Sequence, residues 1–588
     1  MRQPHFVFIV TYLTVKRTQP SLLCSRMNTA TSILCPVCRE PVDRLLYRYH
    51  IDGEKRVIEQ IKQQNPGWAE HDGACSRCVD YYHTEVVMQQ RMLPEIGPYF
   101  PVKSQDDFII LPTGLRLNTD QRFTGKGVTI CFIDSSFCRH PDLTAHRNRI
   151  KTIIDVTKMT DAINGYPVAG CHSELTDCHP ELAEGWHGTM TSVVCAGDGY
   201  LSNGLYKGIA SDVELVLIKV QNAAGRITTE SIVKALQWVL RHHKEYGIRI
   251  VNMSIGDDEA ISYKQSEVDQ YAEQLVQKGI TVVAAAGNDM DGLINPPANS
   301  PHVITVGGID DNNDLQKENG LYHSAWGKTT DGLMKPELIA HAIWIAAPIL
   351  PGTKEQNEAE VLHCLLSVSP DVLPVVLKEN IALTGLPMSV LASEDSTFIK
   401  ETILQRIRYC KYISPHYMHV DGTSFAAPIV SAVIAQLLEA DPRLTPAMIR
   451  KILFTTAKRI ENYPAERQGF GAIHPRKAIL HVLKKETIMA PEESPRINSG
   501  QNTIAFYVQH DCASQVSLAG SFNEWAKDVL LLEPGKYGWW KIEVPMMAPG
   551  KYYYKFFVDE KIWVEDVSNP YREPDGFNGF NSVLTINN

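Results

Sequence analysis

Five short stretches of the chain are almost unbroken apolar runs: Val128 to Ile133, Glu214 to Val220, Ile248 to Met253, Thr281 to Ala285 and Val303 to Val306. Strands covered by helices on both sides need this composition. Between them the apolar period changes to that of a helix. In Thr229 to His242, for example, Ile232, Leu236, Val239 and Leu240 form one stripe. The alternation predicts an α/β fold, a doubly wound parallel sheet, over about residues 100–485. A different pattern follows Gly422. From Phe425 to Leu438 the residues are small and apolar on every side, with no charge until Glu439, so this helix belongs inside the protein. Residues 354–413 interrupt the alternation as an insertion with a helical segment near Ser396 to Tyr412. Thr445-Pro446 is a capped helix start near the end of the region. Pro491 to Gly500 has turn composition, which puts a linker at residues 486–500. Beyond it, residues 501–588 hold short strand-like runs such as Ala505 to Val508, Val516 to Ala519 and Lys551 to Val558, which read as a β-sandwich.

The polar residues that interrupt these patterns carry the candidate chemistry. Asp134 closes the first apolar run, His187 precedes a small-residue helix entry, and Ser424 stands at the start of the buried helix in Gly422-Thr-Ser-Phe-Ala-Ala-Pro428. A helix start offers unpaired N–H groups and a positive dipole end, which suit an oxyanion developing beside a serine oxygen. Pro428 lies in the first turn or just past it, where a missing N–H costs little. The plainer alternative is a buried helix with a serine cap. Ligands of open parallel sheets bind at the carboxyl ends of the strands, where Asp134, Ser254 and Asn288 fall.

Asp134 in Ile-Asp-Ser with His140-Pro-Asp-Leu143 behind it, His187 in His-Gly-Thr, and Ser424 in Gly-Thr-Ser-Phe-Ala-Ala-Pro together resemble the subtilisin-like serine proteases. Val251 to Gly256 is similar to that family's substrate-binding edge, and Val283 to Asn288 to its oxyanion segment. The resemblance implies hydrolysis of peptide bonds through an acyl-enzyme, with Ser424 as nucleophile, His187 as general base and Asp134 orienting it. It also implies Asn288 as oxyanion donor and Ser254, Ile255 and Gly256 as the edge that pairs with an extended peptide. An oxyanion donor contributes about 3 to 4 kcal/mol in the family resembled. Ser136 departs from the family, which has glycine two residues after the aspartate. A calcium ion is compatible with the resemblance, with no ligands assigned.

The chain has 588 residues, 44% apolar and 21% charged, which is ordinary globular composition. Its net charge of −10 argues against a nucleic-acid partner. Thirteen cysteines cannot all pair within one chain. Phe6 to Val15 is too short to span a bilayer as a helix, so no membrane span is expected. Residues 1–26 read either as a signal peptide or as a leader before a true start at Met27. Cys35-Pro-Val-Cys38 and Cys75-Ser-Arg-Cys78 have the spacing of a structural zinc site in a small module over residues 27–95, with redox thiols or unrelated cysteines as the alternatives. Thiolate zinc favours the cytoplasm, with export as the alternative if residues 1–26 act as a signal. Cys171, His172, Cys178 and His179 form a further pair of Cys-His steps, read either as a metal site or as a cleft-shaping loop.

In the tail, Gly520-Ser-Phe-Asn-Glu-Trp525, Pro549 to Asp559 and Trp563 resemble the glycogen-binding module of the AMP-activated protein kinase beta subunit. This implies an α-glucan partner with Trp525, Lys555, Trp563 and Asn581 as contacts. The rival to a peptidase is a catalytically silent scaffold that displays zinc and glycan- or protein-binding modules.

Overall fold

The computed structural model describes residues 52–69, 78–79, 81–82, 110–158, 186–257, 259–314, 319–484, 494–510, 513–535 and 538–587. Two compact units divide the chain, residues 1–79 and 80–588. In the first, Asp52–Gln64 is helical and buries Val57, Ile58 and Ile61. Of the four cysteines expected to hold zinc, Cys35, Cys38 and Cys75 lie outside the described residues; Cys78 is buried. The leader, residues 1–26, and Cys171, His172, Cys178 and His179 lie outside them too. Among the described residues, no group of three or more His, Cys, Asp or Glu side chains is placed to hold a metal ion.

In the second unit the apolar runs become a parallel sheet. Its strands are β1 (Thr129–Asp134), β2 (Ile150–Asp155), β3 (Glu214–Lys219), β4 (Ile248–Met253), β5 (Thr281–Ala285), β6 (Ile304–Asp310) and β7 (Leu338–His341). They lie side by side in the order β7-β6-β5-β4-β1-β3-β2, and Gly320–Leu321 adds a short antiparallel edge to β6. Strand residues point alternately to opposite faces. Ile130 and Phe132 of β1 therefore enter one core layer, and Cys131 and Ile133 the other. The first layer is closed by helices α1 (Trp186–Ala196) and α7 (Thr423–Ala440), the second by α2 (Thr229–Tyr246) and α3 (Glu267–Gln277). Helix α2 starts at a Thr228 cap and stops at Gly247, whose φ of 66° is the left-handed conformation glycine adopts freely. Helix α7 is long and apolar enough to cross a membrane, yet the core buries it on nearly every side.

The insertion is a small helical body of its own. Helices α4 (Lys354–Leu366), α5 (Leu373–Asn380) and α6 (Ser396–Tyr409) close over Leu362, Leu365, Leu373, Leu377, Ile399 and Ile403. Arg406 Nε meets Glu358 Oε1 at 2.7 Å to tie α6 to α4. The chain then returns through Tyr412–Ser414 and Tyr417–Val420, which form an antiparallel sheet with Ile345–Pro348. Since Ile345 pairs with Val420, this sheet fixes the entry to Gly422 and α7.

The C-terminal region has two antiparallel sheets over one core that includes Phe506, Leu518, Tyr554, Phe556 and Leu584. Residues 494–500, given to the linker by sequence, belong to it. Arg496–Asn498 pairs with the strand Thr503–Gln509, and Ser494 Oγ donates to Asp566 Oδ2 at 2.6 Å. The region also packs on the α/β domain. Arg572 is 5% exposed, with its guanidinium 4.2 Å from the Phe470 ring centre and 4.5 Å from that of Phe580. Its Nη2 donates to Pro336 O at 3.3 Å. Arg459 Nη1 meets Glu565 Oε1 at 2.8 Å, and Lys328 meets Glu573 at 2.6 Å across the same boundary.

Candidate active site

The end of β1 delivers Asp134 fully buried, so its carboxylate must be met by donors. Three meet it. Oδ1 accepts from the Ser135 amide at 2.7 Å and from His187 Nδ1 at 2.7 Å, and Oδ2 accepts from Thr191 Oγ1 at 3.0 Å. His187 is in the first turn of α1, and Thr191, four residues on, lies on the same helical face. Gly188 permits this closeness, because a Cβ there would sit 2.5 Å from Ser136 O and 3.0 Å from Asp134 Cβ. Ser136 itself is not among the residues with positive φ, so this turn does without the glycine of the resembled family. With Nδ1–H on the carboxylate, His187 keeps the lone pair of Nε2 outward. Burial alone would lower the pKa of the imidazole. The charge and hydrogen bond of Asp134 outweigh it, and the net shift is upward from 6.5.

Ser424 is the second residue of α7, after Gly422 with φ 133°. Its hydroxyl donates to Ser254 O at 3.2 Å rather than to His187. The Phe425 ring beside it lies 6.1 Å from the His187 ring, and Trp186 meets that ring edge-on at 5.5 Å. Pro428 sits inside α7, past the first four residues, so its missing N–H leaves the Ser424 carbonyl without its helical donor. Ser254 Oγ donates to that carbonyl at 2.8 Å. Ser254 in turn accepts from Asn252 Nδ2 at 3.1 Å, and Asn252 Oδ1 accepts from Ser431 at 2.9 Å.

Asn288 follows β5 and faces the same helix start. Its Oδ1 accepts from the Thr423 amide at 2.7 Å and from Thr423 Oγ1 at 2.9 Å. A backbone amide can only donate, so the contact fixes the orientation of the side chain and leaves Nδ2 as its donor end. Of the edge Ser254, Ile255 and Gly256, the first is buried, the second half-buried and the third exposed. Asp134, His187, Ser254, Asn288 and Ser424 are thus brought together at the carboxyl ends of β1, β4 and β5. Thr191 and Thr423 had gone unnoticed in the sequence; the four-residue spacing from His187 was the available signal for the first.

The sequence model described as the subtilase family matches residues 125–471, more than half of the chain. The chain belongs to the subtilase family. Serine protease AprX of Bacillus subtilis (strain 168) is 25% identical over 373 residues, 61% of this chain and 67% of that protein. Alkaline elastase YaB of Bacillus sp. (strain YaB) is 28% identical over 193 residues, 32% of this chain and 42% of its own. The putative subtilase-type proteinase isp6 of Schizosaccharomyces pombe, from its sexual differentiation process, is 29% identical over 164 residues, 27% of this subtilase and 31% of its own. The last two are matched over less than half of their own length. A second model, described as the glycogen recognition site of AMP-activated protein kinase, matches residues 504–588.

In that tail the strand register decides which side chains share a face. Tyr554, Phe556 and Val558 point into the core, so Lys555 and Phe557 lie on the opposite sheet face, where both are still buried. Trp563 pairs with Phe557, and Ser582, paired with Tyr554, is buried, which leaves Asn581 on the outward face. Trp563 lies 4.7 Å from Phe557 and 5.9 Å, edge-on, from Trp525, with the Lys527 ammonium 5.3 Å from the Trp563 ring. Lys555 differs from the expected sugar contact, being buried and ion-paired with Asp575.

Proposed function

We propose that this subtilase is a serine endopeptidase working through Asp134, His187 and Ser424. The observation that carries the reading is the 2.7 Å hydrogen bond from His187 Nδ1 to a buried Asp134, beside a rigid helix start bearing Ser424. The substrate strand pairs with the edge at Ser254 to Gly256. Rotation about the Ser424 Cα–Cβ bond takes its hydroxyl from Ser254 O to His187 Nε2. As Oγ attacks the scissile carbonyl carbon, its proton passes to Nε2, and Asp134 stabilises the imidazolium. The carbonyl oxygen becomes an oxyanion, held by Asn288 Nδ2 and the Ser424 amide. Collapse breaks the C–N bond, and the Nε2 proton goes to the departing amine. Water then repeats the sequence on the acyl-enzyme.

A serine-directed fluorophosphonate tests this directly. The wild-type chain is expected to label at Ser424 and to hydrolyse peptides, and Ser424→Ala to do neither while unfolding at the same temperature. A wild-type chain that neither labels nor cleaves any member of a broad peptide library would leave the silent scaffold as the answer.

The tail is read as an α-glucan-binding module of the same molecule. The half-buried Trp525 and the exposed Trp563 offer two aromatic faces for the apolar sides of sugar rings, with Asn581 on the same sheet face. Lys555 shapes that face through Asp575 rather than donating to sugar. Full-length protein is expected to sediment with glycogen, and the Trp525→Ala, Trp563→Ala double variant to stay in solution. Equal sedimentation of the two would discard the glucan reading.

A further inference from the structure

A cavity of about 470 Å³ is lined by Trp186 and Phe425, the chain neighbours of His187 and Ser424. One wall comes from the catalytic core, with Trp186, Met190 and Phe425; the other from the insertion and its approaches, with Leu350, Glu355 and Lys411. Neither Ser254 to Gly256 nor Asn288 lines it, so it lies on the His187 and Phe425 side of the nucleophile. The chemistry gives that side a meaning. His187 hands its proton to the departing amine, so the chain downstream of the scissile bond leaves past the imidazole, along Trp186 and Phe425.

Charge inside the cavity is uneven. Lys411 and Asp421 face each other at 3.4 Å, and Tyr322 Oη also donates to Asp421 at 3.0 Å. Those two charges are committed to one another. Glu355, in the first turn of α4, is exposed at the rim and makes no ion pair among the described residues. The volume falls within the range of about 300 to 1,000 Å³ typical of small-ligand pockets, ample for one large side chain.

Resting on the peptidase reading above, we propose that the inserted helices build a subsite for the residue immediately downstream of the scissile bond. The subsite takes a long side chain with an apolar stem and a cationic end, lysine or arginine. The stem lies between Phe425, Met190 and Leu350, and the cation reaches Glu355. Specificity at this position is therefore a property of the insertion, which the catalytic residues do not share.

The experiment uses the full chain and a peptide library fixed upstream of the cleaved bond and varied at the first downstream residue. Methionine is expected to be cleaved at least about tenfold faster than glycine in kcat/KM, the scale set by filling an apolar pocket. Arginine should exceed methionine by about fivefold, the size of a half-exposed ion pair. Glu355→Gln should bring arginine level with methionine and leave the ratio of methionine to glycine in place. Glu355→Lys should put glutamate ahead of arginine. A library cleaved at one rate whatever the downstream residue, or an arginine preference that persists in Glu355→Gln, overturns the subsite alone. No cleavage of any peptide overturns the subsite together with the peptidase reading.

Discussion

His187 is where burial and charge compete most directly, and on the peptidase reading the outcome sets the working pH. Desolvation disfavours the imidazolium, but Asp134, itself buried and held by Ser135 and Thr191, favours it more strongly, so the pKa lies above 6.5. A general base must be neutral to accept a proton. Raising its pKa enlarges the protonated fraction at any given pH, so kcat/KM is expected to fall on the acid side with a midpoint above the ordinary histidine value. In Asp134→Asn the charge is gone. The acid limb should move to lower pH, and kcat should drop by about 10⁴, as for the same change in the template triad. A pH–rate profile of both proteins on one peptide checks this; coincident acid limbs would show that Asp134 does not tune the base.

For helix α7 the question is how it tolerates a proline in its second turn. Pro428 removes the amide that would have bonded the Ser424 carbonyl, and Ser254 supplies a hydroxyl in its place. The strand end β4 and the helix start α7 are thereby pinned to each other at Ser424. Ser254→Ala should cost about 1 kcal/mol in urea unfolding, because it strands a part-buried carbonyl. In a Pro428→Ala background the helix regains its own donor, and the same serine change should cost clearly less. Additive costs in that double-mutant cycle would mean that the two groups do not serve the same carbonyl.

Over the whole molecule, the C-terminal module is a docked part of the second unit. Phe580 shares a small apolar cluster with Met334 and Ala465 of the catalytic domain, and Arg572 is sandwiched between Phe470 and Phe580. Arg572→Ala removes a buried cation with its carbonyl partners and its stacking. It should destabilise the chain by about 2 to 3 kcal/mol and open the junction to limited proteolysis. Unchanged unfolding and an unchanged digestion pattern would refute a stabilising role for this contact. Because the module is packed down, its position relative to the α/β domain is set by these contacts rather than by a loose tether.

The sequence by itself determined the sheet strands that are apolar throughout, the start of α2 and the buried character of α7, and it put forward Asp134, His187, Asn288 and Ser424 as candidate site residues. Each of these rests on local composition or on short spacing, which a linear pattern records. It missed β2, where exposed Lys151 breaks the apolar run, and β7, which lies just ahead of the insertion and is recognisable only by its pairing with β6. Tertiary structure alone decided which hydroxyl replaces the amide lost at Pro428, that Lys555 is engaged by Asp575, and that Arg572 reaches the catalytic domain. It also decided that Glu355 and Lys411 of the insertion line one cavity with Phe425. Those contacts join residues tens to hundreds of positions apart. Their energies depend on burial and direction, which the order of residues does not contain.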